Sequence, residues 1–353
     1  MKEEILRKLI SFNTINDLEN KEINEYIISL LEQKGFKVQR IFNSDKTKYS
    51  VLLTYEEPNL TFTGHTDTVD RSDKWNTNPF DLIEKDGKYY GLGVCDMKGG
   101  IAAFLSAIME LDLESLNKGL SVLLTFDEEI NFTGAKIVDP RLLANNIIIA
   151  EPTDNIPVIG EKGITDIKIK FNGKSVHSSL VPYGDNAILK ASRFINKVEE
   201  FKEELKKETN NLYEIPYCTV NIGKITGGVA SNIVPDYCEI IMDTRPITIN
   251  QIDRVIEFLE QNKNEIGYEY EIIEKLNPFL LKDEEIVKNY ENICNRKRAM
   301  FFGCTEAPFF EKSNTLILGP GSVTAHEPNE SIEVEKYNEL IEMYKKIILY
   351  YCK

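Results

Sequence analysis

The chain has 353 residues and a net charge of −15, and 42% of its residues are hydrophobic. Such an acidic surface repels a phosphate backbone, which excludes nucleic acid as a partner. The length suits two domains, or one large domain with an insertion. The first ten residues mix charged and apolar side chains as a helix does, and no apolar run approaches the ~20 residues of a membrane span. The six cysteines show no disulfide spacing, so we expect a soluble protein of the cytoplasm with no membrane partner.

The first half of the chain alternates helical and strand patterns. One helical face is apolar between Ile23 and Leu31, and Gly35 follows as a natural stop. Four short apolar runs predict strands, and one helix pattern lies between them: Tyr49–Thr54, Leu60–Thr63, Leu120–Phe126 and Asn146–Ala150, with the helix at Ile101–Leu111. Apolar strands separated by helices are typical of a mostly parallel sheet that is covered on both faces.

The middle of the chain has a different pattern. Three alternating strands and two long helices are predicted there: Ile164–Phe171, Cys218–Ile225 and Tyr237–Asp243, with helices near Asp185–Thr209 and Asn250–Asn262. This order is typical of a two-layer α+β domain. Beyond Glu274 a strand at Thr315–Leu318 and a helix at Val334–Tyr350 restore the α/β pattern. We therefore predict an α/β catalytic domain, residues 1–162 and 276–353, interrupted by an α+β lid and dimerisation domain, residues 163–275.

The chain has only three histidines, His65, His177 and His326, and each lies in a segment rich in small or turn-forming residues. A single histidine is more often structural or incidental, but three at strand ends or in loops indicate a site. His65 follows an apolar strand, where ligands bind in open α/β sheets. Imidazole is a common zinc ligand, and Asp67 is placed to accept a hydrogen bond from its far nitrogen. A turn histidine capped by Asp67 is the alternative.

Acidic residues follow the other apolar strands. Asp96 precedes a helix within the glycine-rich segment Gly93–Gly100, and alone it would be read as an N-cap. Carboxylates also follow two further strands, Glu128 with Glu129 after one and Glu151 after the other. Each of them, taken alone, would be interpreted as a solvated surface group. Together with His65 and His326, these residues form a set of imidazoles and carboxylates that suits a borderline cation such as Zn²⁺.

At these residues the chain resembles the di-zinc metallopeptidase family that includes acetylornithine deacetylase, succinyl-diaminopimelate desuccinylase, aminoacylase and glutamate carboxypeptidase. The match runs in order from His65 to His326. Six motifs are similar to the acetylornithine deacetylase branch: Gly64–Val69, Cys95–Gly99, Ala150–Thr153, Thr226–Gly228 with Ser231–Asn232, Cys304–Phe309 and Leu318–Ser322.

The resemblance implies a site for two Zn²⁺ ions, for which Co²⁺ can substitute. His65 and Glu151 would bind one metal, and Glu129 and His326 would bind the other. Asp96 would bridge them, and the peptide bond after it would be cis. Three carboxylates offset three of the four positive charges of two Zn²⁺, and a shared hydroxide would bring the site to neutrality.

The resemblance also implies the chemistry of the neighbouring side chains. Glu128 would be the general base that takes the proton of the attacking water and passes it to the leaving amine. Asp67 would orient His65. In the lid, His177 would reach into the site of a partner subunit and help to hold the oxyanion, which implies a homodimer. Asn232 would assist at the carbonyl, and Arg245 would clamp the α-carboxylate of the substrate.

The substrate implied by the branch is a small N-acyl amino acid, N-acetyl-L-ornithine, deacetylated in arginine biosynthesis. In the desuccinylase branch the segment matching Cys304–Phe309 carries an arginine that suits a second carboxylate, whereas Pro308 stands in that place here. Thr305 and Glu306 would recognise a neutral acyl group and a cationic side chain. The alternatives are a deacylase or dipeptidase for N-acetylcitrulline, N-succinyl-diaminopimelate or broad N-acyl amino acids, and a catalytically silent dimer that binds metabolites.

Overall fold

The computed structural model describes residues 2–16, 18–301, 303–321 and 324–353. The chain divides into two compact units, the first made of Met1–Gly160, Leu280–Ala299 and Thr305–Lys353, and the second of Glu161–Phe279 and Met300–Cys304. Within the described residues, no helix is long and apolar enough to cross a membrane. The same part of the chain contains no disulfide.

Eight α-helices lie in the described residues: α1 Lys2–Ile10, α2 Lys21–Glu32, α3 Lys98–Glu110, α4 Thr133–Lys136, α5 Ala187–Leu205, α6 Ile249–Ile266, α7 Glu284–Cys294 and α8 Val334–Cys352. The strands of the same residues are β1 Lys37–Phe42, β2 Tyr49–Tyr55, β3 Pro58–His65, β4 Ile83–Lys85, β5 Lys88–Tyr90, β6 Gly119–Thr125, β7 Asn146–Ile149, β8 Val158–Glu161, β9 Ile164–Asn172, β10 Thr219–Gly227, β11 Tyr237–Arg245, β12 Glu269–Leu276, β13 Phe279–Leu280, β14 Ala299–Phe301, β15 Asn314–Ile317 and β16 Ser331–Glu333.

The large sheet of the first unit has a parallel centre. Strands β6, β3, β7 and β15 lie side by side and parallel, and every residue of β6 and β7 is buried. Strands β1 and β2 continue the sheet beyond β6, and β8 continues it beyond β15, in both cases antiparallel. The predicted α/β class with a mostly parallel central sheet is therefore confirmed, and β2 is one of the antiparallel strands at its border.

The register of the parallel strands brings their carboxyl ends to the same edge. His65, the last residue of β3, lies opposite Thr125, the last residue of β6. Ile149 at the end of β7 lies opposite Thr63 on one side and Ile317, the end of β15, on the other. The segments that follow these four strands therefore emerge next to one another, which is where open α/β sheets bind ligands.

A small sheet joins two distant segments of the first unit. Strand β5 pairs with β4 and also with β16, in which Ile332 lies opposite Tyr89. This pairing joins the segment before Asp96 to the segment after His326.

The chain returns to the first unit beside the point at which it left. The N–H of Leu281 donates to the carbonyl of Ile159 at 2.7 Å, so the two ends of the long intervening segment are hydrogen-bonded neighbours.

The second unit is an antiparallel sheet covered by two helices. Its strands lie in the order β10, β11, β9 and β12, and α5 and α6 supply the helical layer. Alternate residues of β9 are buried in a core that includes Phe171, Phe194 and Leu259. The alternating apolar residues predicted a two-layer α+β unit, and the structure has one. The alternation arises because the helices cover only one face of the sheet. Its role as a lid and dimer interface stays a prediction.

Candidate metal centre

Two histidines and four carboxylates converge at the carboxyl edge of the parallel strands. Asp96 lies between the two rings, with Oδ1 3.2 Å from Nε2 of His65 and Oδ2 3.2 Å from Nε2 of His326. Oε1 of Glu151 lies 3.6 Å from the same nitrogen of His65, and Oε1 of Glu129 lies 3.1 Å from that of His326. One carboxylate thus faces a different imidazole with each of its oxygens.

These side chains form overlapping groups whose ligand atoms lie within 4.8 Å of one another. One group is His65, Asp96 and Glu151, and another is Asp96, Glu129 and His326, so Asp96 belongs to both. Oε1 of Glu151 is buried and has no hydrogen-bond partner among the described residues, which coordination to a cation would satisfy. Imidazole and carboxylate donors in these numbers fit a pair of Zn²⁺ or similar ions.

The pKa shifts of the clustered side chains also fit a site for a cation. Burial raises the pKa of Glu151, and the neighbouring charges of Asp96 and Glu128 raise it further. Burial alone would lower the pKa of His65, but the hydrogen bond with Asp96 and the nearby carboxylates raise it well above its usual value. Hydrogen bonds with Asp96 and Glu129 raise the pKa of His326 to about 10. A divalent cation would offset this negative charge and replace the protons of the imidazoles.

Glu128 lies beside the cluster in the turn that follows β6. Asp127 has a positive φ of 55°, and its carbonyl accepts the N–H groups of Asn131 and Phe132 at 3.0 and 2.7 Å. This turn brings Oε2 of Glu128 to 4.0 Å from Nε2 of His65. Burial raises the pKa of the Glu128 carboxyl well above its ordinary value. A third group of ligand atoms joins Glu128 to His65 and Glu129, so geometry alone places it within reach of a cation too.

Asp67 holds His65 differently from the prediction. Nδ1 of His65 lies 3.0 Å from the main-chain carbonyl of Asp67, whereas the carboxylate Oδ1 is 3.6 Å away. The carboxylate instead accepts the N–H of Glu129 at 3.1 Å through Oδ2. The carbonyl therefore orients the ring, and the side chain links the His65 segment to the Glu129 segment.

The loop that carries Asp96 is packed closely against its neighbours. The Asp96–Met97 peptide bond is cis, as the resemblance implied. A Cβ atom on Gly100 would lie 2.2 Å from the carbonyl oxygen of Ala150, so only glycine permits this approach to the segment bearing Glu151.

The sequence did not reveal two buried charged residues at this loop, Lys98 and Glu330. Lys98 donates to the carbonyl of Phe12 at 2.7 Å, and burial lowers its pKa to about 7.

The second missed residue is Glu330, whose side chain is only 2% exposed and contacts the same loop. Its position four residues after His326, in Glu327–Glu330, gives no sign of burial, because acidic residues next to proline and asparagine usually face solvent. Only the fold shows its contacts.

Residues 61–350 match the family described as Peptidase family M20/M25/M40. An acetylornithine deacetylase of Pasteurella multocida (strain Pm70) is 33% identical, over 95% of this chain and 92% of the relative. An acetylornithine deacetylase of Photorhabdus laumondii subsp. laumondii is 34% identical, over 99% of this chain and 97% of the relative. The chain belongs to peptidase family M20/M25/M40. The predicted resemblance is confirmed, and with it the hydrolase class.

A solved structure of the M20 family has the same fold. A Bacillus subtilis protein described as a dinuclear metal binding peptidase from this family superposes with a TM-score of 0.70. The two chains are 15% identical, and the superposition covers 99% of this chain and 98% of the other. At this identity the likeness shows the fold alone.

The residues that the M20 resemblance placed in the lid lie in the second unit. His177 is exposed, and its Nδ1 contacts the hydroxyl of Ser179 at 2.8 Å. The carbonyl of Asn232, also exposed, accepts the N–H of Ser178 at 2.9 Å. Neighbouring backbone segments therefore hold His177 and Asn232 beside each other.

Arg245 already has a partner in the second unit. Its Nε and Nη2 each lie 2.9 Å from a carboxylate oxygen of Asp243, and Nη1 lies 3.5 Å from Sγ of Cys304. The guanidinium is thus held in a bidentate pair. The substrate-binding role that the resemblance implies for Arg245 stays a prediction.

The predicted acyl-recognition residues are buried in the first unit. Thr305 is 0% exposed and its hydroxyl accepts the N–H of Ala307 at 3.0 Å. Burial raises the pKa of Glu306 to about 7, the Thr125 hydroxyl and His65 lower it, and Asp67 raises it. Glu306 therefore lies near the metal cluster, and the recognition roles of Thr305 and Glu306 stay predictions. Ser322, the last residue of the motif that begins at Leu318, lies outside the described residues.

Proposed function

We propose that the chain is a dinuclear-metal amide hydrolase that removes the acetyl group from N-acetyl-L-ornithine. The placement of Asp96 between His65 and His326 is the observation that carries the proposal, because a shared carboxylate is what two adjacent cations need. The two relatives named above support the choice of substrate. Zn²⁺ suits the imidazole and carboxylate donors best, and Co²⁺ is expected to substitute. A cytoplasmic location and a part in arginine biosynthesis belong to the same proposal.

The residues of the first unit would share the work of hydrolysis. When bound, two cations would polarise the amide carbonyl and acidify the attacking water. Glu128 takes a proton from that water as it adds to the carbonyl carbon, and returns the proton to the nitrogen as the C–N bond breaks. Acetate and the free amine are the products. The main-chain carbonyl of Asp67 keeps the far nitrogen of His65 protonated, so that Nε2 faces the cluster.

The proposal is tested with metal-depleted protein. Amine release from N-acetyl-L-ornithine is expected to appear only when Zn²⁺ or Co²⁺ is restored, and to be faster than release from N-succinyl-diaminopimelate, N-acetylcitrulline, N-acetylmethionine or a dipeptide. Pro308 presents no cation to the second carboxylate of N-succinyl-diaminopimelate, and Glu306 would favour the cationic side chain of ornithine over the neutral side chains of citrulline and methionine. The measurement is kcat/KM for each substrate at saturating metal.

The outcomes separate the candidate functions. Fastest turnover of another acyl amino acid or of a dipeptide would retain the metal centre and overturn the acetylornithine assignment. The family is named for peptidases, so a dipeptide is the informative competitor. A protein that binds two metals and turns over none of these substrates would support a metabolite-binding role.

Arg245 is proposed to bind the α-carboxylate of the substrate. Arg245→Lys keeps the charge but loses the planar fork, so KM is expected to rise about 10- to 100-fold, equivalent to ~1.5–3 kcal/mol of charge-assisted hydrogen bonding. The kcat should change little, because ground state and transition state lose the contact equally. Arg193→Lys, on the exposed surface of α5, is the matched control. An unchanged KM would assign Arg245 to its pair with Asp243 alone.

The second unit is proposed to form a homodimer. Several apolar side chains near His177 are exposed, including Leu180 at 49%, Val181 at 52% and Val229 at 85%. Val181 and Val229 line one hollow of about 440 Å³ in that unit, together with Ile188. A contiguous apolar surface of this kind is typical of an interface. A second copy of the chain would cover it and could bring His177 to the partner's site.

Mixing two inactive variants tests whether His177 acts across that interface. His177→Ala and Glu128→Gln homodimers should each be nearly inactive. In a hybrid, one site combines an intact Glu128 with an intact His177 of the partner, so random exchange should restore roughly a quarter of the wild-type activity. No recovery in a mixture that forms hybrids, checked by native mass spectrometry, would place His177 in its own subunit's site, and an active His177→Ala homodimer would place it outside catalysis.

A further inference from the structure

Glu330 lies at the junction of two segments that carry metal-cluster residues. It follows His326 by four positions and immediately precedes β16, which pairs with β5. Its side chain is 2% exposed. A buried carboxylate needs several donors to offset the loss of water, and its hydrogen-bond donors among the described residues are backbone N–H groups.

Three N–H groups of the Asp96 loop, from residues 93, 95 and 96, point at this carboxylate. Oε2 accepts the N–H of Gly93 at 2.8 Å, and Oε1 accepts those of Cys95 at 2.6 Å and Asp96 at 2.9 Å. Glu330 thus fixes the backbone of the residue that faces both histidines, although it contacts neither ring.

The same residue is anchored to the segment that carries His326. The hydroxyl of Thr324 donates to the carbonyl of Ser331 at 2.8 Å and accepts its N–H at 3.0 Å, which closes the turn around Glu330. Within this turn His326 has a positive φ of 63°, which is uncommon for a residue other than glycine. The carbonyl of Glu330 also accepts the N–H of Gly91 at 3.2 Å.

We infer that Glu330 is a positioning residue that sets the Asp96 carboxylate against His326 before any metal binds. It acts through the backbone of residues 93–96 and coordinates nothing itself. The inference rests on the proposed metal centre. One carboxylate would thus prearrange the segments of Asp96 and His326, which are more than two hundred residues apart in the sequence.

Glu330→Gln tests the inference, because the amide keeps the size of the side chain and turns a donor toward at least one of the three N–H groups. The two stepwise Zn²⁺ affinities would be measured by competition with a chromophoric chelator, and Co²⁺ would report ligand geometry through its visible absorption. We expect at least one affinity to fall about 10- to 100-fold and the Co²⁺ spectrum to change. Glu333→Gln, three residues away and paired only with Lys336 at 3.3 Å among the described residues, is the matched control.

The outcomes distinguish this inference from the proposed function. Wild-type protein that fails to bind two metals would overturn the metal centre itself. Two metals bound by wild type and by Glu330→Gln, with both affinities within twofold and the same Co²⁺ spectrum, would overturn the positioning role alone. A merely structural role would lower the melting temperature of the metal-free variant without altering the spectrum of the Co²⁺ form.

A measurement on the wild-type protein covers the case in which Glu330→Gln does not fold. Hydrogen exchange of the metal-free protein should show the amides of Gly93, Cys95 and Asp96 protected, since each donates to Glu330 without help from a cation. Exchange of these amides at the rate of an unstructured chain, with protection that appears only on adding Zn²⁺, would overturn the inference.

Discussion

Glu128→Gln is expected to lower kcat about 10²- to 10⁴-fold while both metals stay bound, because a general base that is lost removes that much acceleration. The amide has nearly the same size but accepts no proton from the attacking water. Oε2 of Glu128 lies 4.0 Å from Nε2 of His65, but Glu128 belongs to neither of the two candidate ligand groups that share Asp96. Steady-state turnover and metal analysis of the same samples would measure the two effects separately.

The control for this variant is Glu84→Gln, the same substitution at an exposed position of β4. It should retain wild-type turnover. Because His65, Glu128 and Glu129 also form a ligand group, loss of one metal from Glu128→Gln would show that Glu128 is a ligand. Retained metal with retained activity would assign the base to another residue.

Asp96→Asn should weaken both metals together and abolish turnover. Each oxygen of the Asp96 carboxylate faces a different histidine, so neutralising this one group removes a charge from two coordination sets. The loss of affinity should exceed the 10- to 100-fold typical of residues that only support a ligand. The measurement is Zn²⁺ stoichiometry after equilibrium dialysis at a series of free zinc concentrations.

His326→Ala provides the comparison for Asp96→Asn. It removes one member of the group with Asp96 and Glu129 and leaves the group of His65, Asp96 and Glu151 intact. We therefore expect one tightly held metal in His326→Ala and none in Asp96→Asn at the same free zinc. Equal stoichiometry in the two variants would show that Asp96 serves a single metal.

Much of the clustering of the candidate metal ligands was predictable because parallel strands align their ends. An apolar run followed by a histidine or carboxylate, as at His65 and Glu151, places that side chain at a known edge of the sheet. Several such runs predict a cluster without any knowledge of the strand order. The alternation of buried residues in β9 predicted the second sheet for the same kind of reason, since its period is that of a strand with one covered face.

Other features depended on contacts that no local pattern encodes. The antiparallel direction of β2 follows from its pairing with β6, and apolar composition alone does not set direction. Glu330 looks like a surface residue in the sequence, and its burial comes from packing against a loop that is distant in the chain. The pair of Arg245 with Asp243 joins residues two apart on one strand, a spacing that places both on one face but does not reveal whether they bind each other.

The contact between Leu281 and Ile159 has a consequence for how the chain tolerates change. The excursion into the second unit leaves and returns at hydrogen-bonded neighbours, so the first unit experiences it as one closed loop. The entropy of closing a loop grows only logarithmically, and doubling the length adds ~0.6 kcal/mol. A longer or shorter excursion therefore adds little closure cost to the sheet that carries His65 and Glu151, provided that the second unit still folds.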